Sequence, residues 1–229
     1  TQLKTDNLTE RRLRMAIWQK NDLTPWLSLL SDTAKEKQEW RYWIAKNDKQ
    51  NITEKLTALS QERGFYPMLA AAQLKKIYKF DIPNSPNFSI EEQKSFESAF
   101  NIIAELRELG RYGLAKQRWR VLLDSTDFNT QLKLAKYAQE QQWYELSVDS
   151  TIVAKAWDYL NLRLPNAYSD YFDIALKNLN ISKTFSMAIA RQESAWNPMA
   201  LSSANAKGLM QLLPTTAKLT AENNQIPYL

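Results

Sequence analysis

Apolar side chains recur at three- and four-residue intervals along nearly the whole chain, which is the period of amphipathic helices. The pattern predicts about ten helices and no strand. Its punctuation agrees. Thr24 followed by Pro25 opens one helix, Asn51 with Glu54 three residues on opens another, and Gly64 reads as the end of that second helix. Ser89 and Glu92 have capping-box spacing, and Gly110 suits the left-handed position just past a helix.

Up to about Pro165 the expected helices are short and carry seven of the eight tryptophans, at 18, 26, 40, 43, 119, 143 and 157. Segments such as Trp40 to Ala45, Phe65 to Leu74 and Trp143 to Trp157 read as successive helical hairpins, which bury their faces only against neighbours, as in an α-solenoid. The repeat is degenerate and has no fixed period. The aromatics are expected to fill the core between stacked helices rather than form a sugar-stacking surface. Pro83 and Pro86 interrupt the helical pattern just before a fresh capping box, so a joint is expected there and a second near Pro165.

Composition narrows the chemistry. In 229 residues, 44% hydrophobic and 24% charged, there is enough apolar material for one large domain or two ordinary ones. Only four glycines are present, too few for a fold built on hairpin turns. Neither cysteine nor histidine occurs, so thiol chemistry and the usual nitrogen and sulfur metal ligands are excluded. The net charge of +5 suits an acidic partner. The basic residues, however, are spread along helical faces without interleaved aromatics, which argues against nucleic acid. The start, Thr1 to Thr9, has no apolar signal-peptide region, and no stretch is apolar enough to cross a bilayer, so an already processed chain without a transmembrane segment is expected.

The candidate chemistry begins at Ser182. The run from there to Pro198 reads as one helix of about thirteen residues, with Ser182 as its N-cap. Phe185, Ile189 and Glu193 fall at i, i+4 and i+8, which is expected to place the carboxylate at the C-terminal end of a core-facing stripe. Burial there, beside the negative end of the helix dipole, would favour the protonated form that a general acid needs. On the residues alone, a structural pairing of Glu193 with a lysine or arginine stays open.

The text that follows is specific. Glu193-Ser-Ala-Trp-Asn-Pro198 is followed, after a gap, by Ser202-x-x-x-Ala-x-Gly-Leu-Met-Gln-x-x-Pro214. This string closely resembles the signature of the family one lytic transglycosylases. Arg-Gly-Phe-Tyr-Pro-Met at 63 to 68 and the stretch Ala135 to Trp157 are similar to the long soluble members of that family. The resemblance covers nearly the whole chain. It implies an all-α fold: a superhelix of helical hairpins followed by the start of a lysozyme-like catalytic domain. The corresponding limits are 1–88 for the partial superhelical domain, 89–165 for a helical linker domain and 166–229 for the first part of the catalytic domain.

What the resemblance implies chemically is a periplasmic enzyme acting on peptidoglycan glycan strands, with cell-wall synthesis proteins as further partners and with no cofactor and no metal. Glu193 matches the family's acid/base, and Ser194 is the small polar neighbour in its Glu-Ser pair. Ser202, Gln211 and Leu213 fall where the family lines its sugar cleft, joined by Met210, for which a core role is the plainer reading. For Ser202 a turn-forming role competes equally. Asn205 stands where members commonly carry glycine, and asparagine tolerates the left-handed geometry that glycine supplies.

No aspartate or glutamate lies between Glu193 and Glu222, so the neighbourhood offers no second carboxylate of an ordinary glycosidase pair. One acid must suffice, or its partner comes from afar. The resemblance implies the former: Glu193 serving in turn as acid and base, with the substrate's C6 hydroxyl closing an anhydro ring. Family members also continue into an Ala-Tyr-Asn-Ala-Gly motif absent from this chain, which implies a C-terminally truncated fragment of weak or no activity. Two other readings stay open: a lysozyme-type hydrolase, and a helical-repeat glycan-binding scaffold without catalysis.

Overall fold

The computed structural model describes residues 2–48, 50–79 and 81–228, and among them the expected all-α architecture is what forms. The chain divides into two compact units, one ending at Asp81 and the other starting at Ile82.

The first unit holds α1 (Gln2–Trp18), α2 (Thr24–Leu27), α3 (Asp32–Lys35), α4 (Gln38–Asn47), α5 (Ile52–Ser60) and α6 (Phe65–Gln73). Leu13, Leu23, Leu27, Leu30 and Trp40 bury one cluster, and Tyr42, Leu56, Leu59 and Ala70 another. α4 supplies Trp40 to the first and Tyr42 to the second, so its two sides are both used. Pro25 lies in the first turn of α2, where its missing N–H costs nothing. The cap is not Thr24 itself. Asp22 Oδ1 accepts from the Thr24 amide at 3.0 Å.

Two expectations about caps need correction here. Asn51 does precede α5, but its side chain makes no capping bond. Gly64 does not end α5, which closes at Gln61; it precedes α6, at φ 151. At that φ any L side chain is strained, which is why the position takes glycine; a Cβ there would also displace the Gln38 side-chain amide, whose Oε1 lies 2.3 Å away.

The second unit runs through α7 (Ile90–Lys94), α8 (Glu97–Glu108), α9 (Tyr112–Asp124), α10 (Phe128–Glu140), α11 (Tyr144–Val153), α12 (Leu160–Arg163), α13 (Ser169–Ala175), α14 (Lys183–Ser194) and α15 (Pro214–Asn223). Ser89 and Glu92 form the expected capping box at α7. Phe100, Ile103, Trp119, Leu123 and Leu146 anchor the main cluster, in which the Phe100 and Tyr137 rings stack at 3.9 Å. The chain forms more helices than the ten expected because single turns such as α2, α3, α7 and α12 carry too few residues for a periodic pattern.

Core filling holds for Trp40 and Trp119, which are fully buried, and in part for Trp26, Trp43 and Trp143. Trp18, 83% exposed, is not core. The Trp119 indole donates to Ser150 Oγ at 2.8 Å, which satisfies a polar atom inside the cluster.

α11 differs from its neighbours. Glu145 to Thr151 are buried without a break, so this run has no wet face, and exposure returns only at Ile152. Its hydroxyls are satisfied inside: Ser150 bonds back to Leu146, Thr151 to Val148, and Ser147 reaches the Leu162 carbonyl. Its two acids are also paired: Glu145 with Arg107, and Asp149 with both Arg120 and Lys116.

Six helices end on one left-handed residue: Lys20, Lys75, Gly110, Gln142, Lys155 or Gln225. The following amide then returns to a carbonyl five residues back, as in Trp143 N to Ala138 O at 2.7 Å. Only one of the six is a glycine, which explains how so helical a chain manages with four.

Candidate active site

α14 begins as its sequence predicts. The Ser182 hydroxyl accepts from the Phe185 amide at 3.3 Å, and the Ser186 amide donates to the Ser182 carbonyl. Its buried stripe, however, is not the one expected. Ser186 and Ala190, four apart, face the core with Met187 beside them, whereas Phe185 is 62% exposed and Glu193 is exposed. Small side chains at i and i+4 let α14 lie close against Val148 of α11 and Phe172 of α13. Size alone suggested Phe185; fit selects Ala190.

The expected burial of Glu193 on a core-facing stripe is therefore not met. Nor is the structural pairing realised: no described lysine or arginine lies within ion-pair distance of Glu193. Of the other carboxylates in the last sixty residues, Asp173 pairs with Lys183 at 2.6 Å, Glu222 faces Lys218, and Asp170 sits in the first turn of α13.

The helix then ends abruptly. Ala195 (φ 49) and Trp196 (φ 70) are both left-handed, and the return bond that closes six other helices is not made here among the described residues. Each such residue costs about 1–2 kcal/mol without glycine, and a bulky side chain there is an outlier. Trp196 is 2% exposed, with its ring 6.2 Å from Phe172 and 6.3 Å from Tyr168. Tyr168 also donates a long hydrogen bond to the Trp196 carbonyl, and burial, then the nearby Glu145 charge, push its phenol pKa up.

From Asn197 the chain makes a compact loop. Asn205 adopts the left-handed turn (φ 65) that its type allows, and Gly208 follows at φ 72. The Gly208 amide donates to Ala200 at 2.9 Å, and isolated bridges join Lys207 to Leu201 and Leu212. Ser202 serves this turn: its hydroxyl accepts from the Ala206 amide at 3.0 Å. Gln211 spends both amide donors on the Ala200 and Gly208 carbonyls, at 3.1 and 3.0 Å, and keeps its carbonyl oxygen. Met210 and Leu213 are 36% and 39% exposed, so Met210 is not core, while Leu209 packs inward. Ser194 bonds back to Ala190 at 3.0 Å.

Sequence reading missed the wall behind α14. A cavity of about 100 Å³ is lined by Tyr112, Lys116, Glu145 and Asp149 on one side and by Ser194, Ala195 and Asn197 on the other. Burial pushes the Asp149 carboxyl up, but the bonds from Arg120 and Lys116 outweigh it and hold the group below the ordinary aspartate range. Burial likewise lowers Arg191, whose Nε donates to the Arg163 carbonyl at 3.2 Å. Acids four apart with a leucine, a serine and a valine between them, in place of the usual lysine-rich surface text, were the available signal.

Comparisons with known proteins converge on this region. Residues 93–160 match the soluble lytic murein transglycosylase L domain, and residues 170–228 match the transglycosylase SLT domain. A Haemophilus influenzae protein assigned by inference as a soluble lytic murein transglycosylase is 73% identical over 99% of this chain, which spans 38% of that protein. The soluble lytic murein transglycosylase of Salmonella typhimurium is 41% identical over 98% of the chain and 36% of its own length. Among solved structures, a 70-kDa soluble lytic transglycosylase in complex with bulgecin A superposes with a TM-score of 0.91 at 39% identity, over 98% of this chain and 37% of that one. An inactive glutamate-to-glutamine mutant of a Pseudomonas aeruginosa lytic transglycosylase superposes at 0.80 with 28% identity, again over 98% and 37%.

Proposed function

Since this chain belongs to the soluble lytic murein transglycosylase family, we propose that it carries the acid/base and part of the sugar cleft of an enzyme that cuts peptidoglycan glycan strands without water. Its domains are taken as 1–88, 89–165 and 166–229, and its place of action as the periplasm, where its polymer lies.

Glu193 is the group that acts. It protonates the glycosidic oxygen between N-acetylmuramic acid and N-acetylglucosamine as the bond to the anomeric carbon breaks, while the N-acetyl group assists at that carbon. Glu193 then takes the proton of the muramic C6 hydroxyl as its oxygen bonds to the same carbon. The ring closes and the carboxyl regains its proton. One carboxyl serving twice needs no partner of the kind that ordinary glycosidases use.

The observation that carries this reading is the isolation of Glu193: an exposed carboxylate at the end of a capped helix, without an ion-pair partner among the described residues, in a stretch of sequence otherwise empty of acids up to Glu222. The inactive glutamate-to-glutamine relative gives support from outside the chain. Ser194, Ser202, Met210 and Leu213 line the approach, and the Gln211 carbonyl oxygen is left to accept from a sugar hydroxyl.

The test is made with the complete natural protein on purified peptidoglycan, its products analysed by mass. Anhydro-muramic ends that disappear in Glu193→Gln support the proposal. Reducing ends in their place would transfer the site to a lysozyme-type hydrolase. Undiminished turnover by Glu193→Gln would remove Glu193 from the chemistry.

A further inference from the structure

Nothing holds the Glu193 side chain itself. It has neither an ion pair nor a side-chain hydrogen bond among the described residues, so the backbone at the end of α14 decides where its carboxylate stands. That backbone runs at once into two consecutive left-handed residues. Such geometry persists only where the surroundings over-determine it.

We propose that Trp196 is a positioning residue for Glu193: its buried indole pins the Ala195–Trp196 turn and thereby fixes the direction in which the last turn of α14 presents the carboxylate. The inference rests on the reading of Glu193 as the acid/base.

The pin is built from outside the helix it steadies. Val148 comes from α11, Phe172 from α13 and Ala167 from the segment before α13; Ala190 is the only buried member of that cluster that α14 supplies. Tyr168 packs against the indole and donates to the carbonyl of the same residue at 3.5 Å. The backbone beyond is held as well, since the Asn197 amide donates to Ser194 at 3.0 Å. The indole Nε1 is buried without a hydrogen-bond partner among the described residues, so the ring is taken to act by shape and not by its donor. A catalytic group misplaced by even an ångström loses rate, so a turn that selects one exit direction is worth its strain.

The experiment compares three variants of the complete natural protein with Glu193→Gln, measuring kcat, KM and thermal midpoint on peptidoglycan. Ala195→Gly relaxes the turn without touching the buried ring; kcat should fall about tenfold with KM and the midpoint preserved. Trp196→Phe keeps a ring and gives up only an unpartnered donor, so it should retain kcat within about twofold, while Trp196→Ala should lose about 100-fold. A role confined to packing would leave kcat intact in Ala195→Gly, and that result overturns the inference even if Trp196→Ala does not fold. If Glu193→Gln is inactive and Ala195→Gly is fully active, only the positioning role fails. If Glu193→Gln is itself fully active, the acid/base reading fails first.

Discussion

Arg120 grips Asp149 with both arms of its guanidinium: Nε lies 2.8 Å from Oδ2 and Nη2 lies 2.8 Å from Oδ1. The carboxylate is 4% exposed and the arginine 52%, so the pair joins a buried charge to a wet one. Lys116 adds a third member at 3.2 Å.

That asymmetry predicts which substitution hurts more. Removing both cations strands a buried carboxylate and should cost about 3 kcal/mol at neutral pH, whereas Asp149→Asn leaves two cations that water already reaches and should cost about 1–2 kcal/mol. The pH dependence follows from the lowered Asp149 pKa. Stability from this group is fully present above the unfolded aspartate value, about 4, and is lost as pH falls through the lower folded value. In Arg120→Ala with Lys116→Ala, burial alone remains and raises the folded value, so that variant loses stability as pH rises through about 4 and above. Urea unfolding between pH 3 and 7 should show the gap between the two proteins widening with pH.

Gln142 closes α10 in the left-handed region at φ 60, and Gly110 closes α8 at φ 70. Gln142→Gly should raise stability by about 0.5–1 kcal/mol, the relief of left-handed strain less the extra freedom of the unfolded chain. Gly110→Ala meets no atom within 4 Å, so its loss of about 1 kcal/mol would be conformational alone. Thermal midpoints moving in opposite directions would bear this out; a shared direction would contradict it.

Ser150→Ala should cost about 1–3 kcal/mol, because it leaves the Trp119 indole donor buried and unmet. In a Trp119→Phe background the same change should cost much less. The double-mutant cycle measures the difference, and additivity would show that this hydrogen bond is not what Ser150 contributes.

On α14, Phe185→Ser should change stability by less than about 0.5 kcal/mol, as expected of an exposed side chain. Ala190→Leu, at a fully buried position, should cost about 1–3 kcal/mol through overpacking. Chemical unfolding of this chain distinguishes them. The reverse ranking would restore Phe185 to the core stripe that its size suggested.

The features legible in the sequence were those whose cause is local. The Ser89–Glu92 box and the Ser182 cap involve residues three apart, and Asn205 advertises its own turn. Gly64 was misplaced because a glycine at positive φ serves before a helix as well as after one, and the sequence does not say which. The face of α14 was misread because closeness of approach depends on α11 and α13, which no period in α14 reveals. Left-handed lysines and glutamines at helix ends carry none of the signal that glycine would. The Glu193 motif was recognisable as text, but its exposure and the paired acids behind it depend on the tertiary arrangement.

α11 touches every cluster of its unit: Leu146 enters the one around Trp119, Val148 the one around Trp196, and Ser147 reaches the Leu162 carbonyl beside the third. The amides from Glu145 to Thr151 have no thin side through which to meet solvent by a local opening. They should therefore be among the last in the unit to exchange with deuterium, at the cost of global unfolding rather than of fraying. α15, with no buried residue, should exchange early. The carboxylate helix lies between these extremes, and its order is borrowed from a helix that carries none of the proposed acid/base chemistry.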